Sequence, residues 1–147
     1  MPYSTTQSNS ILNWTFAKGS LTTKSAVYIG LCTNDPEADG GWDTSKELSG
    51  NGYARVLVSQ SGSAFPNLMS AASDRQIQNS GQINWTKATA AWPTSNGFGL
   101  FETAAGGTPF YYGKLTEPLT VPEGAVALFD PATLILGFSD TDEAITT

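Results

Sequence analysis

Apolar positions in this chain fall in short runs broken by Gly, Pro and small polar residues. The first run has helical spacing. Ile11, Leu12, Thr15 and Phe16 share a face, with Trp14 beside Ile11 and the last turn. Ser4-Thr5-Thr6-Gln7 in front of them matches a capping box, in which the Ser hydroxyl and the Gln side chain satisfy opposing backbone groups. The pattern predicts a helix ending at Gly19, with Lys18 in its last turn. Beyond Gly19 the period shortens. Ala26–Cys32 is a continuous apolar and β-branched run, the mark of a strand buried on both faces. Tyr53–Ser59, Arg75–Gln78, Gln82–Thr86, Gly97–Phe101, Phe110–Leu115, Ala125–Phe129 and Thr133–Phe138 complete a set of eight short predicted strands. The two glycines of Gly97-Phe98-Gly99 predict close backbone approach. Regular spacing with Gly/Pro punctuation predicts a mainly β fold, an antiparallel sandwich of jelly-roll or Greek-key type with one short N-terminal helix. A single domain over 1–147 is expected, with 1–20 as a helical arm and 139–147 as a flexible tail.

Composition narrows the chemistry. The 147 residues include no His and one Cys. Imidazole catalysis and imidazole metal ligation are therefore excluded, as are an intrachain disulfide and a Cys-based zinc site. Cys32 ends an apolar run and is expected as a small buried hydrophobe. Charged residues make up 14% of the chain and the net charge is −6. The seven basic residues are scattered, which argues against a nucleic-acid partner and against an anionic membrane surface. No stretch approaches the ~20 apolar residues of a membrane span, and Met1–Gln7 lacks the features of a secretory signal. Synthesis in a cytosol, and solubility there, is the expectation.

Two features could carry chemistry. Asp35, Glu37, Asp39, Asp43 and, a little further on, Glu47 hold five of the thirteen acids. Clustered carboxylates on a Gly-bearing loop suit a hard cation, but the spacing is not that of an EF-hand, and a solvated loop is the plainer reading. Two such acids could also hydrolyse a glycoside at the right separation, which sequence does not give. The aromatics are the second feature. Most lie on predicted strands, but Tyr3, Trp14, Trp42 and Trp92 lie in loops or at element ends. There they either close the ends of the sandwich or face a partner protein or sugar. Gly50, Gly52, Gly106 and Gly107 mark turns that need positive φ, and Ala105-Gly106-Gly107 has no Lys-Ser/Thr after it to make a phosphate loop. Arg55 follows a turn on an otherwise apolar strand, placed to pair with Glu47 or with a neighbouring subunit.

Three ordered segments carry a resemblance. They are Val27–Leu31 with the acidic Pro-bearing loop after it, Glu47–Arg55, and Phe98–Pro109 running through Tyr112–Leu115 to Val121–Ala125. Together they resemble a widespread family of small structural proteins of tailed bacteriophages, of the kind labelled tail-fibre-like or head-decoration proteins. The resemblance spans nearly the whole chain and implies a virion component with a β-sandwich fold.

The leading expectation is a non-enzymatic capsid decoration (cement) protein, a homotrimer bound to the major capsid protein and needing no cofactor and no metal. The alternative is a tail-fibre, tail-tip or neck protein contacting other tail proteins or a host glycan. A third reading is a glycan depolymerase using acids of the 35–47 loop. The residues expected at an interface are Tyr3, Ile11, Trp14, Phe16, Trp42, Arg55 and Trp92.

Overall fold

The computed structural model describes residues 4–21, 24–60, 68–69, 73 and 76–137. Tyr3 and the expected 139–147 tail lie outside these residues. Helix α1 spans Thr5–Thr15, and Ser4 caps it as predicted, its hydroxyl accepting from the Gln7 amide at 3.2 Å. The helix stops before the predicted Gly19. Ala17 adopts φ 55°, and the Lys18 amide bonds the Asn13 carbonyl at 2.6 Å, closing the end two residues early. Lys18 therefore lies beyond the last turn rather than in it.

All eight predicted strands form: β1 Ala26–Cys32, β2 Val56–Gln60, β3 Gln76–Gln78, β4 Ile83–Asn84, β5 Ser95–Phe101, β6 Tyr111–Leu119, β7 Leu128–Phe129 and β8 Ile135–Gly137. Among the described residues they divide into a four-stranded antiparallel sheet in the order β2-β1-β5-β6 and two antiparallel ribbons, β3-β8 and β4-β7. The fold is mainly β and antiparallel, as expected. These pairings among the described residues establish the antiparallel β class and no finer topology. A short 3₁₀ turn, Thr44–Lys46, interrupts the segment between β1 and β2.

One core joins the sheet to both ribbons. Ile29, Leu31 and Val58 from β1 and β2 meet Ile83, Trp85, Leu134 and Leu136. Burying each such aliphatic side chain contributes about 1.5–3 kcal/mol. The other face of β1 and β5 is lined by Gly30, Gly97 and Gly99. An added Cβ on Gly97 would overlap Pro36, and one on Gly99 would lie 2.9 Å from the Trp42 ring. The close approach predicted from these glycines is thus made by the 34–42 segment, which lies against the sheet. The acidic loop is anchored there rather than freely solvated: Pro36 is buried and Trp42 is half-buried.

Candidate functional site

The seven residues expected at an interface separate into two groups. Ile11, Trp14 and Phe16 lie on α1 and at its end. Trp14 is 57% exposed and Phe16 69%, and Leu12, one turn before Phe16, is 55% exposed. Ile11 is half-buried. No α1 residue is buried. The arm is rooted where the Ser4 amide bonds the Phe110 carbonyl at 3.1 Å. Leu12, Trp14 and Phe16 are thus large apolar side chains left in water, which single domains seldom do.

Trp42, Arg55 and Trp92 lie in the body and are linked to one another. Trp42 packs edge-on to Phe101, with ring centroids 5.1 Å apart. The Arg55 guanidinium stacks on the same Phe101, 3.3 Å from the ring centroid. Arg55 Nε and Nη2 each donate to a Glu47 oxygen at 2.7 Å. The Tyr53 hydroxyl donates to Glu47 Oε1 at 3.3 Å and accepts from the Leu31 amide at 2.8 Å. Tyr53 then meets Trp92 edge to face, and Trp92 Nε1 donates to the Asn51 carbonyl at 2.9 Å.

This chain of contacts places two of the expected interface residues inside the fold. The Arg55 side chain is 1% exposed and Trp92 is 5% exposed, so both serve the interior of this domain rather than its surface. Of the two partners open to Arg55, the structure shows Glu47. Arg55 also reaches further than sequence suggested. Its Nη1 donates to the carbonyls of Thr103 at 3.0 Å and Gly106 at 2.7 Å, pinning the loop between β5 and β6. Gly106 and Gly107 in that loop have φ of 66° and 72°, the positive values their turn requires.

The acids of the 35–47 segment are each engaged within the chain. Asp35 Oδ1 accepts from the Glu37 and Ala38 amides, and Oδ2 lies 3.6 Å from Lys114 Nζ. Glu37 accepts from the Lys114 amide, and Asp39 accepts from Asn34 Nδ2. Asp43 caps the 3₁₀ turn through the Ser45 amide and hydroxyl, which hold its carboxyl below the usual aspartate range. Among the described residues no group of three His, Cys, Asp or Glu could hold a metal ion. Burial pushes the Cys32 thiol up to about 12, which keeps it protonated. Burial likewise raises the Tyr53 phenol.

One buried polar residue escaped the sequence reading. Asn79 is 0% exposed and locks the turn between β7 and β8. Its Nδ2 donates to the carbonyls of Gly81 and Asp130, and its Oδ1 accepts from the Thr133 and Leu134 amides. It follows Gln76-Ile77-Gln78, whose alternation marks only a half-wet strand, and nothing local separates Asn79 from a solvated residue.

The anchored loops and the bare helical arm suit a structural part. The family model for Podophage GP4 fiber I protein gp80 matches residues 2–137. The chain belongs to this family. The family is one of tailed-phage virion structural proteins, of tail-fibre-like type, in agreement with the resemblance carried by the three sequence segments. No curated protein matches the chain. No helix among the described residues is long and apolar enough to cross a membrane.

Proposed function

We propose that this protein is a non-enzymatic part of the phage tail, assembled with the fibres, and that it works by holding other proteins in place. The observation that carries this reading is the fibre family match across residues 2–137. That match favours the tail over the head-decoration reading that led on sequence alone. The geometry is in keeping with it. Arg55, Glu47 and Asn79 spend their hydrogen bonds on holding loops, and α1 offers Leu12, Trp14 and Phe16 outward.

The partners in this reading are further copies of the chain, as a homotrimer, and neighbouring tail proteins. The contact surface is α1. A density map of the whole particle, with the copy number measured by quantitative mass spectrometry, tests it. Roughly three to a few dozen copies at the tail are expected. Hundreds of copies over the head lattice would return the protein to capsid decoration.

A further inference from the structure

Asn-Gly occurs twice in the chain, as Asn51-Gly52 and Asn96-Gly97. Such a pair has a chemistry of its own that needs only water. The Gly nitrogen gives up its proton to base and attacks the Asn side-chain carbon. The new C–N bond closes a five-membered succinimide ring, and the side-chain nitrogen leaves as ammonia. Water then opens the ring at either carbonyl, to aspartate or to isoaspartate. Glycine favours the attack because it has no Cβ to crowd the nitrogen.

The fold treats the two pairs differently. Asn96-Gly97 lies within β5, where Gly97 is buried and Asn96 Nδ2 donates to the Thr33 carbonyl at 2.7 Å. Asn51 and Gly52 are both exposed. Among the described residues nothing accepts from the Gly52 amide, so its proton is open to base. Asn51 has φ 53° and Gly52 φ 82°, and the Tyr53 amide bonds the Gly50 carbonyl at 2.9 Å, which makes a type I′ turn. In that turn the Gly52 nitrogen points away from the Asn51 side chain. Ring closure requires rotation about the Asn51 Cα–C bond until the two face each other.

The 86–92 segment opposes that rotation. The Asn51 carbonyl accepts from the Thr89 amide at 3.0 Å and from Trp92 Nε1 at 2.9 Å. The Gly52 carbonyl accepts from the Thr86 hydroxyl, and Asn51 Nδ2 reaches the Ala91 carbonyl at 3.4 Å. The segment lies so close that a Cβ on Gly52 would sit 2.9 Å from the Lys87 carbonyl. Turning the Asn51 carbonyl breaks its bonds to both donors.

We infer that Asn51-Gly52 is a self-modification site held unreactive by the 86–92 clasp, and that a chain whose clasp opens converts Asn51 to aspartate and isoaspartate. Loss of ammonia makes the change one-way. Both products add a negative charge, and isoaspartate adds a methylene to the main chain of the turn. Opening of this end of the fold thus leaves a permanent mark.

The test incubates the folded full chain in mildly alkaline buffer beside the same chain in urea. Peptide mass spectrometry follows residues 51 and 96, with electron-transfer fragmentation separating aspartate from isoaspartate. In urea both pairs are expected to convert. In the folded chain Asn51 is expected to convert at least roughly tenfold more slowly than in urea. Trp92→Phe keeps a ring against Tyr53 but loses the Nε1 donor, and Thr86→Val removes an exposed hydroxyl. Each is expected to speed conversion of Asn51 in the folded chain roughly three- to tenfold, with Asn96 unchanged. Equal rates for Asn51 in the folded chain and in urea would overturn the inference. So would both variants converting at or below the wild-type rate. Asn96 accelerating in step with Asn51 would also overturn it, because global unfolding rather than the clasp would then set the rate.

Discussion

Arg55 and Glu47 form a two-pronged ion pair, Nε to Oε1 and Nη2 to Oε2, both at 2.7 Å, with side chains only 1% and 14% exposed. The pair sits between β1 and the β5–β6 loop, and its remaining nitrogen holds two carbonyls of that loop. Removing one member leaves a buried charge without its partner. Arg55→Met is therefore expected to destabilise the fold by about 3–5 kcal/mol, read from urea unfolding. Adding Glu47→Leu should recover part of that loss, because the orphaned carboxylate goes with it. A double variant no more stable than Arg55→Met would show that the two groups do not act as a pair.

Legibility in the sequence followed the range of each interaction. The capping box at Ser4 and the strand β1 were visible because they depend on neighbours in the chain. The end of α1 was misplaced because Ala17 takes the left-handed turn that Gly19 was better suited to take. Strands β4 and β7 are two residues each. Beyond them Trp85 and Ala88 bond singly to Ala127 and Ala125, around a turn shaped by Pro122 and Gly124. β6 runs past the predicted Leu115 to Leu119. The register slips between Ser95 and Gly97, and Leu119 then pairs with Ser95. In the candidate site, Glu47 was a visible partner for Arg55 at eight residues' distance, while the Thr103 and Gly106 carbonyls are 48 and 51 residues away. No local pattern encodes such a contact. Nor does any separate the buried Trp92 from the exposed Trp14, because burial of a loop aromatic is decided by what folds over it.

Asn79 makes the same argument in a measurable form. Four hydrogen bonds meet its side chain at full burial. Asn79→Leu has nearly the right shape and none of the bonding, so the Gly81 carbonyl and the Leu134 amide lose their Asn79 bonds outright, while the Asp130 carbonyl and the Thr133 amide keep the bond they share. The expected cost is on the order of 3 kcal/mol, with the loss of amide protection concentrated at Leu134 in hydrogen exchange. Asn79→Asp keeps the acceptor but loses the donor, and should expose the carbonyl side alone. Equal protection at Leu134 in wild type and Asn79→Leu would refute the locking role.

Alkali should weaken the fold through two buried acids. The Cys32 thiol rises from 9.0 to about 12, and the Tyr53 phenol rises above 10.0, in both cases chiefly because burial disfavours the anion. A raised folded value means that the contribution is complete below the unfolded value and is lost as pH climbs through the folded one. Stability is thus flat up to about pH 9 on this account and falls above it. Cys32→Ala should remove the earlier part of the fall. In the native protein at pH 8 the thiol should resist a maleimide and react fully in denaturant. Rapid labelling of the folded chain would contradict the burial of Cys32.

The arm allows a local measurement without unfolding the body. Ser4 caps α1 by accepting from the Gln7 amide at 3.2 Å, and no residue of the helix is buried. Most helices in proteins are held by packing, so one that lacks it depends unusually on its cap. Ser4→Ala is expected to cost about 1 kcal/mol of helix stability, and that loss should fall on α1 alone. Amides of Ser8 to Thr15 should exchange several-fold faster, while those of β1 and β5 keep their wild-type rates. Unchanged exchange in α1 would mean that packing, rather than the Ser4 cap, maintains the helix.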